Sequence, residues 1–139
     1  MLFQYYPQID HDFSYELNKD MHFAGAHFIP HELAGKCQQM HGHTYVVNVT
    51  IGGDELDPAG FLVDFKELKD LVHGQYDHTL MNDHPHYADK YPTTEIVAET
   101  IYTVVQNALN QKPNRPTCLQ VLVRETPTSY VVYRPRKKK

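Results

Sequence analysis

The sequence predicts an α+β fold in which a four-stranded antiparallel sheet carries two helices on one face. Three observations support this class: two strand-like segments come first, two helical patterns follow, and two further strand-like segments end the chain. Strands and helices that are segregated along a sequence favour an antiparallel sheet covered on one side. The 139 residues suit a single core, so we expect one domain over residues 1–139.

The first two strands are predicted in the first third of the chain. Residues 12–27 mix polar and apolar positions as a half-buried strand does. Residues 45–51 alternate more clearly, are rich in β-branched side chains, and end at a Gly-Gly-Asp run at 52–54. The segment between them, residues 28–39, is predicted to be a loop.

The first helix is predicted to begin after Asp64. Asp64 followed by Glu67 resembles a capping box, in which each side chain satisfies a backbone N–H of the other residue. Phe65, Leu68 and Val72 fall on one face at helical spacing. A helix of about three turns with this face buried is therefore expected.

The second helix is predicted after a long loop at residues 77–92. Thr94 is a plausible N-cap, and Glu95 and Glu99 are favourable near a helix N-terminus. Loops of this length in small domains are usually functional. The predicted apolar stripe of the helix consists of Val97, Ile101, Val104, Val105 and Ala108.

The last two strands are predicted at residues 119–124 and 129–134, with a turn at 126–128 between them. A four-stranded open sheet has two unpaired edges, and such edges readily pair with neighbouring chains. The pattern therefore favours oligomerisation.

Composition excludes several classes of protein. The net charge of −4 gives no sign of a partner such as nucleic acid or an anionic membrane. No apolar run approaches the roughly 20 residues of a membrane span, and the start at residues 1–7 lacks the regions of a signal peptide. Two cysteines do not suggest a disulfide framework. We therefore expect a cytoplasmic protein, and a basic tail at 134–139 that is merely solvated.

Three histidines form a candidate metal site. His41 and His43 lie two residues apart at the entrance to the second strand, so their side chains project to the same side. Gly42 between them leaves room near the backbone. His27, at the end of the first strand, can supply a third imidazole, and three His ligands with an open fourth position are typical of catalytic zinc. The alternative is chance, because ten of the 139 residues are His.

Two further groups suit proton transfer. Asp77 precedes His78, and a carboxylate partner orients an imidazole and raises its basicity; the alternative is an ordinary arrangement at a helix end. Cys37 lies just before the histidine pair, where a nearby cation would activate its thiol; the alternative is an inert small side chain. Cys118, among apolar strand residues, is interpreted as inert.

Glu125 is a candidate ligand-binding residue at the end of the third predicted strand. Its two oxygens can accept hydrogen bonds from a pair of N–H donors on a planar heterocycle. The alternative is a solvated edge charge that discourages aggregation.

Together these residues resemble the 6-pyruvoyltetrahydropterin synthase family over about residues 13–133. The motifs are individually weak and collectively specific; they are Cys37-x-x-x-His41-Gly-His43, Phe23-Ala-Gly-Ala-His27, Val63-Asp64-Phe65, Asp77-His78-Thr79-Leu80-Met81-Asn82, Pro92-Thr93-Thr94-Glu95 and Arg124-Glu125-Thr126-Pro127. The short spacing from Cys37 to His41 resembles the bacterial, carboxy-forming branch, since pyruvoyl-forming members tend to carry a longer insertion. One departure is Gly25, where relatives often have Ala.

The resemblance implies a role for each candidate residue. His27, His41 and His43 would hold Zn²⁺, Cys37 would abstract a proton as the thiolate, and Asp77 with His78 would complete the proton relay. Glu125 would anchor a pterin ring in a pocket that Thr93, Thr94 and Glu95 also line. It further implies the tunnelling fold, in which sheets join into a barrel, commonly a homohexamer of two trimers with active sites where subunits meet.

The implied activity is that of a zinc-dependent carbon–carbon lyase. It would convert 7,8-dihydroneopterin triphosphate to 6-carboxytetrahydropterin, acetaldehyde and triphosphate, in the biosynthesis of queuosine and other 7-deazapurines. A second hypothesis keeps the site but eliminates triphosphate to give 6-pyruvoyltetrahydropterin. A third, remote one is a His-rich metal-binding module without catalysis.

Overall fold

The α+β class is confirmed by a computed structural model that describes residues 6–136. Two α-helices lie between strands in the order β1-β2-α1-β3-α2-β4-β5. Their bounds are Tyr15–His27 for β1, His41–Gly53 for β2, Phe65–Tyr76 for α1, Thr79–Leu80 for β3, Thr94–Leu109 for α2, Thr117–Thr126 for β4 and Ser129–Tyr133 for β5. The predicted loop at 28–39 contains a short 3₁₀ segment at Glu32–Gln38.

Within the described part of the chain the sheet has five strands in the order β3-β1-β2-β4-β5, so the prediction of four was wrong. The additional strand, β3, lies inside the predicted loop at 77–92 and pairs in parallel with β1 through Gly25 and Ala26. All other pairs are antiparallel. Two residues are too few to show alternation, so no sequence pattern predicted this strand.

One face of the sheet forms the core beneath both helices. β2 contributes Tyr45, Val47, Val49 and Ile51, which are all fully buried. The helix residues buried with them are Leu68, Val72, Tyr76, Val97, Ala98, Ile101, Val105 and Leu109. The prediction that both helices share a face agrees with this core.

Three predicted core positions are corrected by the structure. Phe65 is 52% exposed, since it is the first residue of α1 and lies beneath the ammonium of Lys19 rather than in the core. Val104 and Ala108 in α2 are only partly buried, and Leu109 is fully buried. The buried stripe of α2 is therefore rotated slightly from the predicted one.

The helix caps agree with the prediction at one helix and differ at the other. The Asp64 carboxylate accepts a hydrogen bond from the Lys66 N–H at 2.9 Å and so caps α1. Glu67, predicted to complete the capping box, instead pairs with Lys112 at 2.7 Å. Thr93, rather than Thr94, caps α2. The predicted cap was one residue too late, because Thr94 is already the first helical residue and its hydroxyl donates to Glu125.

The opposite face of the sheet is polar and partly covered by the chain before β1. Asn48, Thr50 and Gln120 are buried there. Thr50 donates to Asn18 at 2.8 Å, and the Gln120 amide donates to the Pro7 carbonyl at 3.1 Å. These hydrogen bonds satisfy side chains that would otherwise be costly to bury.

Across residues 6–136, no helix combines the length and apolarity needed to cross a membrane. The predictions made for the start at 1–7 and for the basic tail at 134–139 concern segments that lie partly outside the described residues.

Candidate metal and active site

Four side chains converge at one end of the helix-covered face. β1 and β2 pair so that His27 lies opposite His41 and Gly25 lies opposite His43. Glu125, near the end of β4, joins them from the neighbouring strand. One ligand atom from each of the four side chains lies within 4.8 Å of the other three. The three rings predicted from the sequence therefore do meet.

Backbone carbonyls fix the tautomers of two rings. The Nδ1 atom of His27 lies 2.6 Å from the Pro92 carbonyl oxygen, and that of His41 lies 2.9 Å from the Gln39 carbonyl oxygen. A ring nitrogen that faces a carbonyl must donate, so Nδ1 carries the proton in both rings. Their Nε2 atoms, 2.8 Å apart, then present two lone pairs to each other. A cation between them relieves this repulsion, so the residues fit a metal ion.

Glu125 adds a carboxylate to the three imidazoles. Its Oε1 lies 3.2 Å from the Nε2 of His27 and 3.0 Å from the Nε2 of His43. Its Oε2 accepts a hydrogen bond from the Thr94 hydroxyl at 3.0 Å. The fourth position, expected from the sequence to be open, is thus faced by a carboxylate of the same chain.

Burial favours the ligand form of His27. The ring is 3% exposed, and desolvation lowers its pKa, while the Pro92 carbonyl partly opposes this by favouring the protonated ring. A neutral imidazole is the form that binds a metal. The buried hydroxyl of Tyr45, 3.2 Å from the same Nδ1 atom, gives the ring a second polar neighbour.

A cavity of about 360 Å³ opens beside this cluster. It lies within the range of about 300–1,000 Å³ that is typical of small-molecule sites. Six of the residues singled out in the sequence line it: His27, Cys37, Thr93, Thr94, Glu95 and Glu125. Cys37 is exposed and is carried by the Glu32–Gln38 segment, which bends at Gly35, where φ is +57°.

Asp77 and His78 lie elsewhere, at the edge formed by β3. The Asp77 Oδ1 accepts from the Ala24 N–H at 2.9 Å, and the His78 N–H donates to the Ala24 carbonyl at 2.6 Å. His78 has φ of +58°, a left-handed conformation that is unfavourable for a residue other than glycine. Its side chain is 85% exposed and lines a separate open cavity with Thr79 and Leu80.

One chain therefore does not bring all the predicted residues together. Cys37, Glu125 and His27 line one cavity, whereas His78 lines another together with His43. Cys118 is fully buried, and burial raises the pKa of its thiol to about 12, which agrees with its interpretation as inert.

Sequence reasoning assigned no role to two residues that shape the site. Tyr45 follows His43 by two residues and so shares its face, a spacing that could have identified it. Asn82 accepts from the Phe28 N–H at 3.0 Å and donates to the Phe28 carbonyl at 2.9 Å, which holds the chain just after His27. No sequence pattern indicates this long-range contact.

Comparisons with known proteins identify the family of this chain. The family described as 6-pyruvoyl tetrahydropterin synthase matches residues 16–136. The 6-carboxy-5,6,7,8-tetrahydropterin synthase of Bacillus subtilis (strain 168) is 63% identical, over 99% of this chain and 97% of its own length. The protein of the same name from Synechocystis sp. is 32% identical over 83% of this chain and 89% of its own.

A likeness in fold extends to a distant solved structure. The 6-pyruvoyl tetrahydropterin synthase of Caenorhabditis elegans superposes with a TM-score of 0.70 at 24% identity. The superposition covers 88% of this chain and 96% of the nematode protein.

Proposed function

The chain belongs to the 6-pyruvoyl tetrahydropterin synthase family, and we propose that it acts as a 6-carboxy-5,6,7,8-tetrahydropterin synthase. The reaction converts 7,8-dihydroneopterin triphosphate to 6-carboxytetrahydropterin, acetaldehyde and triphosphate, in the cytoplasm and on the route to queuosine. The observation that carries the proposal is the convergence of three imidazoles beside a cavity lined by Cys37 and Glu125. The 63% identity to the Bacillus subtilis protein supports the carboxy-forming branch.

Three imidazoles are proposed to hold the metal. His27, His41 and His43 offer nitrogen ligands of the kind found at catalytic zinc sites. Zinc, when bound there, supplies a Lewis acid for the hydroxyls of the substrate side chain. The backbone carbonyls of Pro92 and Gln39 keep two of the rings in the metal-binding tautomer.

The pterin ring is proposed to lie in the cavity of about 360 Å³. The Glu125 carboxylate would accept hydrogen bonds from adjacent N–H groups of the heterocycle, a charge-assisted pairing that fixes orientation. The Thr94 hydroxyl steadies that carboxylate at 3.0 Å, and Thr93 and Glu95 line the same wall.

Proton transfer is assigned to two groups on opposite sides of the substrate side chain. Cys37 is exposed to the cavity and would remove a proton as the thiolate. Asp77 and His78 would deliver or accept a proton from the other side. Because His78 and Cys37 line separate cavities in one chain, we assign the pair to a neighbouring subunit.

The assembly that follows is a barrel in which sheets of adjacent subunits pair edge to edge. Strands β3 and β5 form the two edges, and edge strands are prone to such pairing. A homohexamer built as a dimer of trimers is the expected state. Size-exclusion chromatography with light scattering measures it directly, and a monomer that retains full activity would contradict an active site shared between subunits.

Product analysis tests the activity. Mass spectrometry of the reaction with 7,8-dihydroneopterin triphosphate should find 6-carboxytetrahydropterin and a two-carbon fragment. Cys37→Ala should abolish turnover with zinc retained, whereas Cys118→Ala, at a buried thiol remote from the cavity, should keep the activity. A product that retains all three side-chain carbons would identify the pyruvoyl-forming reaction instead, and an unaffected Cys37→Ala variant would favour a non-catalytic metal-binding module.

Complementation tests whether the site is shared. Cys37→Ala and His78→Ala, each inactive alone, should regain partial activity when co-expressed and purified through two different tags. Mixed assemblies would contain some interfaces with both an intact thiol and an intact Asp77–His78 pair. The absence of any recovery in mixed assemblies would contradict the assignment of these groups to different subunits.

A further inference from the structure

We propose that His73 is a positioning residue for the Asp77–His78 pair and forms the third member of a chain of imidazole–carboxylate contacts. The inference rests on the proposed function, because it concerns the residues assigned to proton transfer. None of the motifs that identify the family includes His73, which lies within the last turn of α1.

His73 links the carboxylate to the neighbouring strand. Its Nδ1 lies 2.5 Å from the carbonyl oxygen of His22 on β1. Its Nε2 lies 3.4 Å from the Oδ2 of Asp77, one helical turn further along the chain. The ring is thereby held at one nitrogen by β1 and contacts the catalytic carboxylate with the other.

The two carboxylate oxygens of Asp77 contact different groups. Oδ1 accepts from the Ala24 N–H, which fixes one end of the carboxylate to β1. Oδ2 lies between two rings, 3.4 Å from the Nε2 of His73 and 3.6 Å from that of His78. The His78 ring is 85% exposed and contacts the Asp77 carboxylate through its Nε2. His73, whose side chain is only 28% exposed, is the better anchored of the two imidazoles.

The chemistry of the contacts indicates what His73 contributes. A nitrogen facing a carbonyl must carry a proton, so the Nδ1 of His73 donates to the His22 carbonyl. The Nε2 of His73 then faces the Oδ2 of Asp77, and a proton on this nitrogen would let the ring stabilise the ionised carboxylate. The pKa of Asp77 is accordingly lowered, first by the Ala24 N–H and then by His78, His73 and His22. An ionised, oriented carboxylate is the form that can position His78 for proton transfer.

Two substitutions separate the contacts of this ring. The Asn side chain places its amide nitrogen near the position of Nδ1, so His73→Asn can keep the bond to the His22 carbonyl and loses the contact with Asp77. The Gln side chain reaches the position of Nε2, so His73→Gln can still donate to Asp77. The two variants therefore have similar polarity, but the Asn variant keeps the contact with the His22 carbonyl and the Gln variant keeps the contact with Asp77.

We expect the loss of the Asp77 contact to lower kcat and to leave KM unchanged. His73→Asn should lower kcat roughly tenfold or more, because a displaced catalytic group is costly, while KM, zinc content and the melting temperature stay near those of the parent. His73→Gln should recover most of kcat. His11→Asn, which removes a ring from another His–carboxylate pair at 2.9 Å from Glu16, should leave kcat unchanged.

Each other outcome has a defined meaning. If His78→Ala lowers kcat strongly and both His73 variants turn over normally, the inference about His73 is wrong and the proposed function stands. If both variants lose kcat and melting temperature together, His73 is merely structural and the inference is again wrong. If His78→Ala itself turns over normally, the assignment of the proton relay fails, and the inference fails with it.

Discussion

At the scale of single residues, the candidate metal site depends on groups around the ligands as much as on the ligands. The carbonyl oxygens of Pro92 and Gln39 set which nitrogen of His27 and His41 carries the proton. The Tyr45 hydroxyl adds a second polar neighbour to the Nδ1 atom of His27. Such outer contacts orient imidazole ligands and raise their basicity.

Removing the Tyr45 hydroxyl should therefore weaken metal binding. We expect Tyr45→Phe to lower zinc affinity about tenfold, since outer contacts of this kind typically contribute that much or more. Competition with a chromogenic chelator measures the affinity. Tyr76→Phe is the matched control, because Tyr76 is equally buried and its hydroxyl meets His86 instead. Equal affinities in the two variants would contradict this role of Tyr45.

Glu125 faces both the histidine trio and the cavity. A substitution distinguishes whether its carboxylate binds the metal or the pterin. We expect Glu125→Gln to retain zinc through the three His ligands and to bind the pterin at least tenfold more weakly, because the amide replaces a charged acceptor. Zinc content by elemental analysis and binding of a pterin analogue by calorimetry test this. Loss of zinc with unchanged pterin binding would make Glu125 a fourth metal ligand.

At the scale of elements, the register of β1 and β2 brings the site residues together, and a helix cap fixes one wall of the cavity. The 13-residue pairing of β1 with β2 brings His27 opposite His41, although 13 residues separate them in the chain. The residue at the start of α2 serves two purposes, since Thr93 caps the helix and also lines the cavity. Asp64 caps α1 away from the cavity.

A substitution at the N-cap of α1 should therefore change the stability of the fold without changing the candidate active site. Asp64→Ala should lower the free energy of unfolding by about 1 kcal/mol, because an N-cap carboxylate satisfies an otherwise unpaired N–H. Urea denaturation measures the change, and Asp64→Ser should restore most of it. Activity should be unchanged in both variants at temperatures well below melting. A loss of activity in the folded variant would show that α1 acts on the site through its first turn.

At the scale of the whole molecule, several partly buried histidines couple stability to pH. Desolvation lowers the pKa values of His27, His84 and His86 below their ordinary value of 6.5. The unfolded chain therefore takes up protons first as the pH falls, and this favours unfolding. Glu16 and Asp77 have lowered pKa values, so the stability they contribute is lost only at more acidic pH.

The zinc-free protein should accordingly melt at lower temperature as the pH falls from 7.5 to 5.5. Differential scanning calorimetry after chelation measures this at constant ionic strength. His86→Gln should reduce the slope, because the amide does not titrate, whereas His31→Gln, at an exposed ring, should leave it nearly unchanged. A melting temperature that stayed constant or rose on acidification would contradict the linkage.

Much of the fold followed from local patterns. The two long strands, the start of α1 after Asp64 and the final hairpin were predicted within a few residues, because alternation and capping are properties of short segments. The two-residue β3 was missed, and the cap of α2 was displaced by one residue, because tertiary pairing and the hydroxyl contact of Thr94 decided them.

The sequence by itself determined the chemistry available to this protein: three imidazoles, a thiol just before two of them, a carboxylate near a strand end and an Asp–His pair. Spacing of two residues was enough to set His41 and His43 on one side, since successive strand side chains alternate. Only the tertiary structure decided that Glu125 faces the trio, that His78 lines a different cavity from Cys37, and that His73 contacts Asp77. These relations depend on strand order and helix packing, in which residues far apart in the chain become neighbours, and no local pattern encodes such distances.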